Sequence, residues 1–333
     1  MTIRPFGQTR SGIRVEAIRL VAGEISATIL TFGATVQDLR LAGTPWPLTL
    51  GCDRVEAYEG ACRWLGAICG PVANRIRAAQ AVIAGKTYRF EANEAGRTCL
   101  HSGLTGADQQ VWQIAEAGAD HCTLTLTLAD GLGGFPGNRQ LAAGFALRAP
   151  GVMSLTLTAI SDATSLMNLL NHSYWNLDGT ATTAGHRLQI LADRYLPDDA
   201  DNLPMAPQPV AGTRFDLRTG RALAANERLD HNFCLAEAPR EVTEVARLTG
   251  AKGVEMRLLT DAPGVQAYDG AGLKGQPYLG HMGQPYGPRA GLALEPQFWP
   301  DAPGRAGFPS ILLEPGQLWQ QRSEWHFSRG QIG

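Results

Sequence analysis

Polar and apolar residues alternate strictly along two stretches of the chain. Cys122-Thr-Leu-Thr-Leu-Thr-Leu128 and Met153-Ser-Leu-Thr-Leu-Thr158 each send every second side chain to one apolar face. A period of two marks a strand with one face in a core and the other in water. Two strand-like runs within 145–160 flank Ala149-Pro150-Gly151, which predicts a hairpin turn. Residues 12–41 read as three short strands broken at Gly23 and Gly33, and Lys86-Thr-Tyr-Arg-Phe90 follows the turn residue Gly85. Helical periodicity is weak, and only 54–58 and 222–227 suit a turn or two of helix. The 39 Gly and 20 Pro are spread through the chain, as many turns between short strands require. No Rossmann glycine fingerprint, no Walker loop and no strand–helix alternation is found. The pattern predicts an all-β fold, a large antiparallel β-sandwich. No shift in composition marks a second domain, so residues 1–333 are expected to form one. Residues 184–214, rich in Asp and Pro, are expected to form a long surface excursion.

Charge narrows the range of partners. The 29 Lys and Arg face 31 Asp and Glu, a net charge of −2 with no basic block. That balance argues against nucleic acid and an anionic membrane surface as main partners. The opening MTIRPFGQTRSG has no apolar core followed by a small-residue cleavage site, so no secretory signal is expected. No uncharged apolar run reaches the roughly 18 residues of a membrane helix. The six cysteines form no C-x-x-C and no zinc-type spacing. They are expected to be reduced, mostly buried thiols of a cytoplasmic protein.

Five stretches hold uncommon polar combinations: Gly70-Pro-Val-Ala-Asn-Arg-Ile76, Leu100-His-Ser-Gly103, Asn171-His-Ser-Tyr-Trp-Asn-Leu177, Leu229-Asp-His-Asn-Phe233 and Leu292-Ala-Leu-Glu-Pro-Gln-Phe-Trp-Pro-Asp301. Each has a structural reading. His101 or His172 can be a satisfied core imidazole, Asp230-His231-Asn232 a turn, and Arg75 half of an ion pair. Glu295 is harder to explain, because a carboxylate among Leu292, Leu294 and Phe298 is unfavourable unless paired or used, or unless that strand face is wet. No HExxH or other metal-ligand spacing links the histidines, and no G-x-S-x-G elbow is present. Arg, His, Asp, Glu, Asn, Gln and Trp together suit a polyhydroxylated ligand, whose hydroxyls need donors and acceptors and whose C–H face suits an aromatic ring.

In these stretches the chain resembles the aldose 1-epimerases (galactose mutarotases). The resemblance is an ordered series over nearly the whole length. It begins with Thr31-Phe-Gly-Ala-Thr35, Leu50-Gly-Cys-Asp53, Gly70-Pro-Val-Ala-Asn-Arg-Ile76, Leu100-His-Ser-Gly103 and Gly134-Phe-Pro-Gly137. It continues with Asn171-His-Ser-Tyr-Trp-Asn-Leu177, Asp230-His-Asn-Phe233, Gly264-Val-Gln266, Leu294-Glu-Pro-Gln297, Phe308-Pro-Ser310 and Pro315-Gly316. It implies a sugar in an open cleft and interconversion of the α and β anomers of a free aldose, with no cofactor and no metal. Carried over by position, Glu295 is the general base and His172 the general acid. Asn74, Arg75, His101, Asp230 and Gln266 hold the sugar hydroxyls. Ser102 stands where the family usually has a second Gly, and Pro296 where a Thr is common. These departures bear on substrate preference rather than reaction type.

At unperturbed values of about 4.3 and 6.5, Glu295 would be ionised and His172 partly protonated at pH 7, matching base and acid. The expected partner is a small monosaccharide, and the protein is expected to act as a monomer or homodimer. Three rival readings stand beside this one: a non-catalytic sugar-binding module on the same sandwich, a sugar-phosphate epimerase, and a glycoside hydrolase using Asp230 and Glu295 as its carboxylate pair.

Overall fold

The computed structural model describes residues 2–330, and their regular secondary structure is almost entirely strand. Four strands, Thr2–Gln8, Arg14–Ala22, Ile25–Leu30 and Thr35–Leu41, form a consecutive antiparallel sheet. Its breaks fall at Gly23 and Gly33, as the turn residues predict. A nine-stranded antiparallel sheet carries the alternating segments as neighbouring strands His121–Leu128, Arg139–Arg148 and Val152–Ser161. Arg148 pairs with Val152 across the predicted hairpin turn. Along Val152–Ser161, Met153, Leu155, Leu157 and Ala159 are buried, while the intervening Ser154, Thr156 and Thr158 are half-buried.

A six-stranded sheet runs in the order Tyr174–Trp175, Leu292–Gln297, Gly264–Tyr268, Asp230–Cys234, Arg194–Tyr195, Gln208–Pro209. It lies over the nine-stranded sheet. Trp175 packs against Trp325 and Phe327 of that sheet, at 5.9 and 5.5 Å between ring centroids. Gln321 Nε2 of the same long strand donates to Pro296 O at 3.0 Å. Among the described residues, the strand of Pro296 has no paired strand beyond Ala293 on the side away from Gly264–Tyr268, and an edge of that kind tolerates a proline. One apolar cluster, including Ile18, Leu124, Leu155, Trp175, Val265 and Leu294, runs through all three sheets.

Two local expectations fail, each for a visible reason. Residues 54–58 do hold a short helix, Val55–Tyr58, but 222–227 form a turn. The Glu227 carboxylate accepts the Ala224 N–H at 3.2 Å and pairs with both Arg221 nitrogens at 2.7 and 3.0 Å. Such side-chain bonds offer the backbone an alternative to helix. Residues 184–214 are more than a surface excursion. They supply Arg187–Ile190 to the nine-stranded sheet and two strands to the six-stranded one. The interspersed Leu188, Ile190, Leu196 and Val210 are buried there, which anchors the segment. All six cysteines are buried free thiols, as expected. No helix among the described residues is long and apolar enough to cross a membrane.

Candidate active site

Sheet register assembles the site. Gln266 pairs with Glu295, Tyr268 with Asp230 and with Ala293, and Tyr174 with Ala293. Residues opposite one another, or two apart on one strand, share a face. Glu295, Gln266, Asp230, Tyr268 and Tyr174 therefore all project from one side of the six-stranded sheet. On that side lies an open cleft of about 350 Å³, also lined by Trp64, Asn74, Arg75, His101 and His172. All seven residues singled out from the sequence line this one cleft.

His172 comes from the chain just before Tyr174, and its ring stacks on Tyr174 at 5.0 Å. Its backbone is clamped on both sides, with its N–H donating to Ala67 O at 2.9 Å and its C=O accepting from Gly66 N at 3.0 Å. Asn171 Nδ2 donates to Gly66 O at 2.8 Å. Gly66 has φ +77°, and a Cβ there would collide with Val36 O. Only glycine makes that pivot without strain.

His101 is set by two bonds to Asn74. Its N–H donates to Asn74 O at 3.0 Å, and its Nδ1 accepts the Asn74 N–H at 3.2 Å. The second bond fixes the neutral tautomer, so the proton sits on Nε2 and His101 is a donor towards the cleft. His101 and Ser102 both have positive φ, +49° and +64°. The Ser102 hydroxyl accepts from Val72 N at 2.7 Å and donates to Val72 O at 2.9 Å, latching this turn to the 70–76 loop. The Ser102 departure thus braces His101 and does not intrude on the cleft.

Arg75 is held bidentately by Glu94, at 2.8 Å from both Nε and Nη2, and Thr98 Oγ1 donates to the same carboxylate at 2.6 Å. Asp301, just past the Glu295 strand, donates its N–H to Arg75 O at 3.0 Å and accepts the Arg77 N–H at 2.9 Å, tying the loop to the sheet. Gln266 Nε2 donates to Asp230 Oδ1 at 2.7 Å, while Gln266 Oε1 is buried without a partner among the described residues. Asn74 turns Oδ1 back to the Arg75 N–H at 2.9 Å.

Glu295 and His172 are 2 % and 4 % exposed, with His172 Nε2 at 3.5 Å from Glu295 Oε2. The wet-face reading of Glu295 is therefore wrong, and so is the expectation of ordinary protonation states. Burial pushes His172 down to about 4. Burial, reinforced by Asp230 and opposed by Arg75, pushes Glu295 well above the usual carboxylate range. Desolvation penalises the charged form of each, so their affinities for a proton move towards each other. Burial thus favours the uncharged form of both groups.

His101, His172 and Glu295 place one ligand atom each within 4.8 Å of one another, the spacing of a two-His, one-carboxylate metal site. The tautomer of His101 opposes that use. Offering Nε2 to a metal would move its proton to Nδ1, against the Asn74 N–H.

Sequence reasoning missed four contributors. Glu94 sits in an unremarkable polar turn, and nothing local ties it to Arg75. Tyr174 and Tyr268 are legible as cleft residues only through strand register. Trp64 adopts φ +71°, leans on His101 at 5.1 Å and lies under Arg63 at 5.1 Å. Arg63 in turn is fixed by the fully buried Asp108 at 2.8 Å.

A family model described as aldose 1-epimerase matches residues 16–326. The chain is 34 % identical to a galactose mutarotase of Mus musculus, covering 97 % of each chain. It is 32 % identical to an aldose 1-epimerase of Escherichia coli, covering 98 % of this chain and 97 % of that one. A solved aldose epimerase homologue from C. elegans superimposes with a TM-score of 0.87 at 28 % identity, over 94 % of this chain and 98 % of that one. A galactose 1-epimerase from Lactobacillus acidophilus does so with a TM-score of 0.85 at 26 % identity, over 99 % of both.

Proposed function

The chain belongs to the aldose 1-epimerase family, and we propose that it interconverts the α and β anomers of a free aldose through Glu295 and His172. The carrying observation is the buried pair itself: a carboxyl and an imidazole 3.5 Å apart in a cleft otherwise lined by hydroxyl-binding groups.

Burial favours the neutral acid and the neutral imidazole, so the reacting form arises when the carboxyl proton of Glu295 passes to His172. Glu295 then takes the proton of the C1 hydroxyl while His172 gives one to the ring oxygen. The C1–O5 bond breaks and C1 becomes an aldehyde. Rotation about C1–C2 presents the other face, and ring closure returns both protons with the roles reversed. No proton is gained or lost over the cycle. Each positioned transfer is worth on the order of 10²–10⁴ in rate. The Nε2–H of His101 is aimed to stabilise charge developing on the departing oxygen. Arg75, Asp230, Gln266 and Asn74 orient the remaining hydroxyls, with the unpartnered Gln266 Oε1 as an acceptor awaiting one.

The lining argues against a phosphorylated sugar. Both arginines of the cleft are already engaged, Arg75 by Glu94 and Arg63 by Asp108, which leaves neither free for a dianion. A binding module would have no use for the Glu295–His172 pair. Polarimetry tests the reading. Freshly dissolved α-D-galactose, α-D-glucose, L-arabinose and D-xylose are followed at low temperature with and without protein. A faster approach to the same final rotation supports it, and no acceleration with any sugar contradicts it.

A further inference from the structure

Beside the cleft, and sharing Asp230 and Tyr268 with it, lies a second depression of about 400 Å³. The proposed mechanism uses nothing in it beyond Asp230. Its rim includes Asp198 and His231. His231 follows Asp230 at the start of their strand, and both line the depression. The His231 ring joins a cluster with Phe215 and Tyr195, at 4.4 and 5.9 Å between centroids, and those two rings touch each other at 4.3 Å. Its Nδ1 accepts the Asp230 N–H at 3.2 Å, so the neutral ring carries its proton on Nε2. That Nε2 faces Asp198 Oδ2 across 4.0 Å, too far for a hydrogen bond. Among the described residues no donor bonds to the Asp198 carboxyl, and burial with Asp230 nearby pushes it up to about 7. A fixed donor and a carboxyl that no protein donor meets, both partly open to solvent, thus face one another over a gap. One hydroxyl oxygen about 2.8 Å from each would bridge it.

The charges around the depression identify the ligand class. Asp198, Asp230 and Asp269 are balanced by Arg214, Arg228 and Arg289. A cancelled field of this kind favours a neutral hydroxyl over a phosphate or an ammonium group.

The geometry points to Asp198 and His231 as a second hydroxyl-binding subsite, which grips the end of the substrate remote from its anomeric carbon. It rests on the reading that Glu295 and His172 hold the anomeric centre, because the strand order Tyr174, Glu295, Gln266, Asp230 then puts this depression at the opposite end. The hydroxyl is either the hydroxymethyl of a hexose or one on the second unit of a reducing disaccharide.

The test compares wild type, Asp198→Ala and His231→Phe by polarimetry on D-galactose, on D-fucose (its 6-deoxy form), on L-arabinose (the same ring without the hydroxymethyl) and on lactose. Loss of one or two hydrogen bonds should raise KM roughly 5- to 30-fold. A rise for D-galactose but not for D-fucose or L-arabinose supports the subsite and assigns it to the hydroxymethyl. A rise for lactose alone supports it and assigns it to a second sugar unit. Equal changes for all four sugars, or none, overturn it. Wild type that accelerates no sugar refutes the mutarotase reading instead. Calorimetric binding of D-galactose and lactose to wild type and variants then decides the subsite independently, with equal affinities overturning it.

Discussion

Replacing Glu94 by Gln should weaken catalysis without touching any group that meets the sugar. Arg75 is only 12 % exposed and is aimed by two bonds of 2.8 Å to the Glu94 carboxylate. Glutamine keeps one acceptor oxygen and turns an NH2 towards the other guanidinium nitrogen. One charge-assisted bond is lost outright and the other becomes charge-to-neutral. Bonds to charged groups contribute about 1.5–3 kcal/mol each, and Glu94 is partly exposed, so about 2 kcal/mol is a fair expectation. If all of it falls on sugar positioning, kcat/KM drops about thirtyfold, since 1.4 kcal/mol is a factor of ten. The freed guanidinium would also swing towards Asp230, the next carboxylate in reach of its charge. The assay is initial-rate polarimetry on α-D-galactose, with thermal unfolding as a control for folding. Arg75→Lys and the double variant complete a cycle in which the two losses must be far from additive. A kcat/KM for Glu94→Gln within about twofold of wild type, or additive losses, would refute the idea that Glu94 aims Arg75.

Other consequences can be checked on the same protein. Ser102→Ala strips the buried Val72 N–H and C=O of their partner, and should lower stability by about 2 kcal/mol with an unchanged urea m-value. A loss below about 0.5 kcal/mol would show that the latch is unimportant. Gly66→Ala forces a Cβ onto Val36 O; it should displace the His172 segment and lower kcat more than it raises KM, and wild-type kcat would count against the pivot. Stability should also depend on pH through His172, whose folded value is about 4 against about 6.5 when unfolded. As pH falls the unfolded chain takes up that proton first. The stability His172 contributes is complete above about pH 6.5 and lost between 6.5 and 4, at up to about 1.4 kcal/mol per pH unit. Urea titrations of His172→Asn should therefore be flatter than wild type by that slope, and parallel curves would mean that His172 is not held neutral.

What could be read from the sequence follows from which physical signals are local. The strands over 122–128 and 153–158 bury one face only, so their alternation is visible in the residues themselves. Leu292–Gln297 is buried on both faces, which erases the period of two and leaves Glu295 as a lone anomaly. Tyr174–Trp175 and Arg194–Tyr195 are strands only because longer neighbours pair with them. The seven candidate residues are legible as polar residues in apolar or glycine-rich settings. Their convergence is not, because it depends on pairing Gln266 with Glu295 and Asp230 with Tyr268. Glu94 and Asp198 look like ordinary surface acids in sequence. Each acquires a role only from a partner far along the chain, Arg75 for one and His231 for the other. The protonation states were misjudged for a similar reason, since desolvation is a property of the fold and not of a residue's neighbours in sequence.

The most direct test of the central claim is the time course of optical rotation for fresh α-D-galactose with wild type, Glu295→Gln and His172→Asn at equal concentration. The account predicts that wild type hastens the approach to the common final rotation. Each variant should lose roughly 10²- to 10⁴-fold in kcat while still folding and binding the sugar. Near-wild-type turnover by either variant would contradict the assignment of the base to Glu295 and the acid to His172.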